Sequence, residues 1–189
     1  MKKKKPHTSR SCNFRLTGNT SILIGIYIMI GAVITKTLVS DDFESSWLSF
    51  IPRENVKYSI AAVLILVLFT SLLTLFLKAK ENVNELGFIL WNETTKKSVW
   101  QIVILFLFGF IVANKLYNLN YEDMVTPMFL FGYGILVSLL NYTKYKSLYL
   151  FALICSLIGV VAFFFPAYWF VALMLLGLNH IIHGIIHRS

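Results

Sequence analysis

No aspartate or glutamate falls inside any long apolar run of this 189-residue chain. The nine acids all lie between those runs. The absence removes the membrane carboxylate that a proton-coupled carrier would use as its relay. The HExxH spacing of zinc hydrolases is missing, and so is any glycine-rich phosphate loop. No serine stands with a base and a third orienting group in the pattern of a nucleophilic triad. Cysteine is nearly absent. Cys12 lies in a basic tail and Cys155 in an apolar run, so no disulfide framework is implied. Charged residues make up only 14% of the chain, where a soluble domain averages about 25%.

What fills the chain instead is hydrocarbon. Hydrophobic residues make up 57% and mean hydropathy is +0.71. A small domain leaves much of its surface in water, so this excess must face lipid. The expected class is an all-α, polytopic, multi-pass protein of the cell membrane, with the lipid bilayer as its main partner. Crossing a hydrocarbon core of about 30 Å takes about 20 apolar residues. Six runs approach that length, at 20–39, 57–77, 98–118, 126–143, 147–165 and 167–187. They are continuous, not alternating, which favours helices over barrel strands. The expectation is a basic tail over 1–19 and a six-helix transmembrane domain over 20–189. The flank TKTLVSDDF offers no small-x-small cleavage site, so the first run reads as an uncleaved span rather than a signal peptide.

The net charge of +8 does not mark a nucleic-acid binder, because it is not spread over a folded face. Lys2, Lys3, Lys4, Lys5, Arg10 and Arg15 precede the first run, where they set orientation and attract anionic lipid headgroups. With the N-terminus cytoplasmic and six crossings, thirteen Lys and Arg fall inside and four outside. The C-terminus then returns to the cytoplasm. Two connections are long. The outer one, 40–56, is acidic but carries Trp47, Leu48, Phe50 and Ile51, and is expected to fold back onto the membrane surface. The inner one, 79–97, contains LGFILW and is expected to be interfacial or re-entrant.

Chemistry concentrates at the C-terminal end, GLNHIIHGIIHRS. At about 100° per residue, Gly177, His180, His183, Gly184 and His187 share one side of a helix. The glycines let a neighbouring backbone come close, so Gly177 and Gly184 read as helix-packing residues, as do Gly134 and Ser138. His183 and His187 have the i, i+4 spacing that can put two imidazoles on one ion, with His180 next to them, and a divalent metal is the candidate cofactor. Glu81, Glu85, Glu93, His7 or Cys12 would have to complete the set. The plainer reading has His180 hydrogen-bonded across helices, to Asn141 or another polar group, with the other two in the headgroup layer.

The stretch ELGFILWNETTKKSVW resembles the segment ahead of the catalytic helices in CAAX-type intramembrane proteases. The paired glutamates that those enzymes need are missing here, so the resemblance implies none of their chemistry. Three functions are compatible with these residues. The chain can be a non-enzymatic, transport-related or accessory subunit that binds a membrane protein partner or small apolar ligand between its helices. It can be a metal-dependent membrane enzyme using the histidine cluster. It can be an immunity or regulatory protein that recognises a peptide at the outer surface through 40–56. The first is the leading expectation.

Overall fold

A computed structural model describes residues 16, 18–86, 91–119, 121, 124–140 and 146–187. The described residues are all α-helical apart from short 3-10 segments and turns. The helices are α1 (Gly18–Val39), α2 (Val56–Leu86), α3 (Glu93–Asn118), α4 (Val125–Leu140), α5 (Lys146–Phe164) and α6 (Trp169–Ile186). Short 3-10 turns fill Asp41–Ser45, Arg53–Asn55 and Pro166–Tyr168.

The expected six crossings are corrected here. Among the described residues four segments are long and apolar enough to cross a bilayer: Gly18–Val39, Tyr58–Glu81, Glu93–Leu116 and Pro166–Ile186. The shortest of these has 21 residues, about 31 Å of helix. Helix α4 is described over 16 residues, about 24 Å, and the Asn-Tyr-Thr at 141–143 that the apolar run had included lies outside the described residues. The apolar part of α5 runs Leu148–Phe164, about 25 Å. Both fall short of the hydrocarbon thickness. The thirteen-to-four division of basic residues assumed six crossings, so its assignments after α3 lose their basis. Most of the basic tail lies outside the described residues, as do Asn141, Lys144 and Arg188.

The protein is nonetheless a multi-pass membrane protein. On α3, Trp100, Val103, Ile104, Phe106, Leu107, Phe108, Phe110 and Ile111 are all exposed. Burying one such side chain is worth roughly 1.5–3 kcal/mol, so leaving this set in water would forgo about 10 kcal/mol. That equals the whole stability of an ordinary domain. Lipid is the solvent that removes the penalty. Helix α2 meets lipid with its three mid-helix hydroxyls already satisfied. Thr70 Oγ1 donates to Leu66 O at 2.8 Å, Ser71 Oγ to Val67 O at 2.7 Å, and Thr74 Oγ1 to Thr70 O at 2.8 Å. Back-bonding within the helix keeps these three hydroxyl protons from being stranded in hydrocarbon.

The inner connection is shorter than expected because both flanking helices extend into it. Helix α2 continues to Leu86 and α3 already begins at Glu93. Asn92 is the reason for the early start. Its Oδ1 accepts the Thr95 N–H at 2.7 Å and its carbonyl accepts the Lys96 N–H at 3.0 Å, the geometry of an N-cap. Glu93 follows in the first turn, where the helix dipole favours an acid. Most of the LGFILW stretch lies outside the described residues.

The chain divides into two compact units. One comprises Met1–Leu16 and Leu75–Ala172. Its centre is the antiparallel pair α4 and α5, with Leu130, Val137, Phe151, Ala152 and Cys155 buried. A Cβ built on Gly159 would lie 2.6 Å from Phe131 N, and one on Gly134 would strike Ser156 and Ala152. The helix backbones therefore nearly touch. The other unit comprises Thr17–Thr74 and Leu173–Ser189. It holds α1, the folded connection 40–55, the first part of α2 and most of α6. There Phe43 and Leu48 tuck into a small core with Leu38, ringed by Ile34, Ile51, Val56, Ile60 and Val63.

Candidate functional site

The histidines sit in a seam between α1 and α6. On α1 the seam residues are Gly18, Ser21 and Gly25, and on α6 they are Gly177, His180 and Gly184. A Cβ built on Gly25 would lie 2.5 Å from Gly177 O, and one on Gly177 would lie 2.8 Å from Gly25 O. A Cβ built on Gly184 would lie 2.6 Å from Gly18 O. Gly18 faces Gly184 and Gly25 faces Gly177, so the helices run antiparallel. Gly18 also has φ of 54°, a left-handed conformation open to glycine at little cost. Small residues on both sides bring the backbones into van der Waals contact, which is the main attraction available between helices in lipid.

His180 is fully buried in this seam at 0% exposure, and so is Ser21. Ser21 Oγ donates to the His180 carbonyl at 2.8 Å. The same oxygen lies 3.3 Å from His180 Nδ1. A hydroxyl has one proton, and here it goes to the carbonyl. The Nδ1 contact is then a hydrogen bond only if the imidazole carries its proton on Nδ1. The plainer reading of His180 named Asn141 or another polar group as its partner; Ser21 is a polar group that meets it, and Asn141 lies outside the described residues. His183 is also buried, at 6% exposure. His187 is half-buried, its ring 4.4 Å from that of His183, and its Nδ1 donates to His183 O at 3.0 Å.

No protein-family model, curated protein or solved structure matches this chain at a significant level.

Among the described residues, no three of His, Cys, Asp and Glu come close enough together to hold a metal ion. The metal-enzyme reading needed a carboxylate to complete a histidine pair. Glu81 is instead engaged by Lys78 at 2.8 Å, and Glu93 is an exposed residue in the first turn of α3. The Glu85 side chain, His7 and Cys12 lie outside the described residues. Two imidazoles alone make a weak site for zinc, which takes four ligands in a structural centre or three plus water in a catalytic one. Detergent-purified protein and a His183→Ala/His187→Ala variant are expected to carry the same substoichiometric metal when both are measured by mass spectrometry. A stoichiometric ion in the parent that disappears in the variant would restore the enzyme hypothesis.

The remaining sequence candidates fall in the other unit. Gly134 lies against α5, as described above. Ser138 is half-buried, and its Oγ donates to Ile135 O at 2.7 Å within its own helix. Cys155 is buried and is in no disulfide. Sequence reasoning missed Gly18 as the partner of Gly184. A signal was present: GNTSILIG over 18–25 and GLNHIIHG over 177–184 share the pattern small–x–x–polar–x–x–x–small. Two such octapeptides running in opposite directions place glycine on glycine at both ends and polar on polar between them.

Proposed function

We propose that the chain is a non-enzymatic accessory subunit of a membrane assembly, engaging a membrane protein partner through the uncovered surfaces of α2 and α3. One observation carries this reading. Among the described residues, the most apolar stretch of 18 residues within Tyr58–Glu81 and within Glu93–Leu116 contains no fully buried side chain, whereas the corresponding stretches of α1 and α6 are each 33% buried. The fully buried described residues of these two helices are Ala79, Thr95 and Ser98, near their connecting ends, and Ile60 and Val63 pack partly against the α1 core, so most of the apolar length of two of the four described crossing helices is left uncovered. The α3 surface is also rich in large aromatics, Trp100, Phe106, Phe108 and Phe110, the side chains that anchor protein interfaces.

A partner fits this geometry better than a small apolar ligand held between helices. The two glycine seams are closed, since the α1–α6 and α4–α5 backbones approach too tightly to admit even a methyl group. Site-specific photo-crosslinking in native membranes tests the proposal. A photoreactive residue placed singly at Ile104, Leu107, Phe108 and Ile111 is expected to give adducts of discrete protein mass on one contiguous face. Lipid adducts alone at every position would show that α3 faces only the bilayer and would end the proposal.

A further inference from the structure

The connection between α1 and α2 is a folded cap with two different sides. Its inward side is complete: Phe43 and Leu48 are buried with Leu38 of α1, and Ile60 and Val63 of α2 pack around them. Backbone turns stiffen it, with Ser46 N–H on Phe43 O at 3.1 Å, Ile51 N–H on Leu48 O at 3.0 Å and Asn55 N–H on Pro52 O at 2.9 Å. The outward side carries Trp47, Phe50 and Tyr58 at 65%, 77% and 76% exposure. These are not core residues left over from a loose loop, because the local core is already filled.

Position says what covers them. The cap leaves one crossing helix at Val39 and enters the next at Val56, while the apolar window of the second begins at Tyr58. It therefore sits at the end of the hydrocarbon layer, where Trp and Tyr are favoured by having an apolar body and a polar edge. Exposed apolar side chains lead up to it on α1, at Ile30, Val33 and Val39, and away from it on α2, at Leu64 and Ile65. The aromatic patch continues the lipid-facing surface rather than standing apart from it. Charge narrows the lipid class. Residues 40–58 carry Asp41, Asp42, Glu44 and Glu54 against Arg53 and Lys57, a net charge of −2, with Arg53 paired to Glu44 at 3.2 Å. Anionic headgroups would be repelled. The ammonium ends of zwitterionic headgroups suit both the acids and the aromatic faces.

We propose that this cap is an interfacial anchor that seats Trp47, Phe50 and Tyr58 among zwitterionic phospholipid headgroups. The competing occupant is a peptide recognised from the aqueous side.

Fluorescence quenching on the full chain decides between them. A Trp91→Phe/Trp100→Phe/Trp169→Phe variant leaves Trp47 as the only tryptophan. It is reconstituted into phosphatidylcholine–phosphatidylethanolamine vesicles. Lipids brominated near the headgroup are expected to quench Trp47 about twofold more than lipids brominated near the chain end, with weak quenching by aqueous iodide. Replacing half the lipid with phosphatidylglycerol at low salt is expected to reduce the shallow quenching, and added salt to restore it. Strong iodide quenching with no effect of either brominated lipid would place Trp47 in water and favour the peptide surface. Unchanged quenching with phosphatidylglycerol would overturn the headgroup class. A Cys12→Ser/Phe50→Cys variant, labelled with an environment-sensitive dye, keeps all four tryptophans and gives a second reading. Its emission is expected to be blue-shifted in vesicles, and water-like emission would count against the anchor.

Discussion

Gly177→Leu is expected to destabilise the α1–α6 pair by about 3 kcal/mol, the upper end for overpacking a close contact. The first added carbon already lies 2.8 Å from Gly25 O and 2.5 Å from Met29 Cγ. The methionine can swing aside, but the carbonyl is part of α1 and cannot. The helices must separate, and the gap spreads along the whole seam, where packing is the main force holding helices together in lipid. Gly25→Leu is expected to do the same from the other side, where the added carbon meets Gly177 O. The control is Gly109→Leu on α3. A Cβ there meets nothing within 4 Å, and leucine is a better helix former than glycine. That variant is expected to stay within about 0.5 kcal/mol of the parent. Unfolding in detergent, followed by loss of helical circular dichroism against added denaturing surfactant, measures all three. Equal destabilisation at positions 109 and 177 would mean that the close approach has no energetic role.

His180→Ala is expected to cost about 3 kcal/mol, because it empties a fully buried site in a backbone-tight seam. Ser21→Ala should cost about 1 kcal/mol. It removes the 2.8 Å bond to the His180 carbonyl, a modest loss for a helix-to-helix hydrogen bond. The double variant isolates the imidazole contact. The carbonyl survives His180→Ala, so any coupling between the two substitutions reports the 3.3 Å approach of Ser21 Oγ to Nδ1. A coupling of about 0.5–1 kcal/mol is expected. Strict additivity would reduce His180 to a space-filler. His187→Ala is the internal contrast. The ring is only half-buried and bonds back to its own helix, so the change should stay within about 0.5 kcal/mol. His180 and His187, which look alike in GLNHIIHGIIHRS, thus carry very different energies.

The cap shows how far local reading reaches. The apolar letters Trp47, Leu48, Phe50 and Ile51 mark a segment that leaves the aqueous phase. They do not say that Leu48 turns inward while Trp47 and Phe50 stay outside. That choice depends on Leu38 and Ile60, which come from the two flanking helices. The N-cap at Asn92 is the opposite case. Asn followed by an acid is a purely local signature, and it moves the start of α3 ahead of the apolar run without help from any distant residue.

The sequence by itself determined the solvent and the element type. Hydropathy is a sum over neighbouring residues, and lipid leaves the backbone of a continuous apolar run no option but a helix. It did not determine how many of the described helices are long enough to cross, because an apolar run shows which solvent a segment meets but not where its helix starts and stops. Nor did it pair Gly18 with Gly184 or Ser21 with His180. Those pairings join residues about 160 positions apart, and they depend on which backbones can approach without a side chain between them. Steric fit at that distance is a property of two surfaces together, and only the tertiary structure holds both.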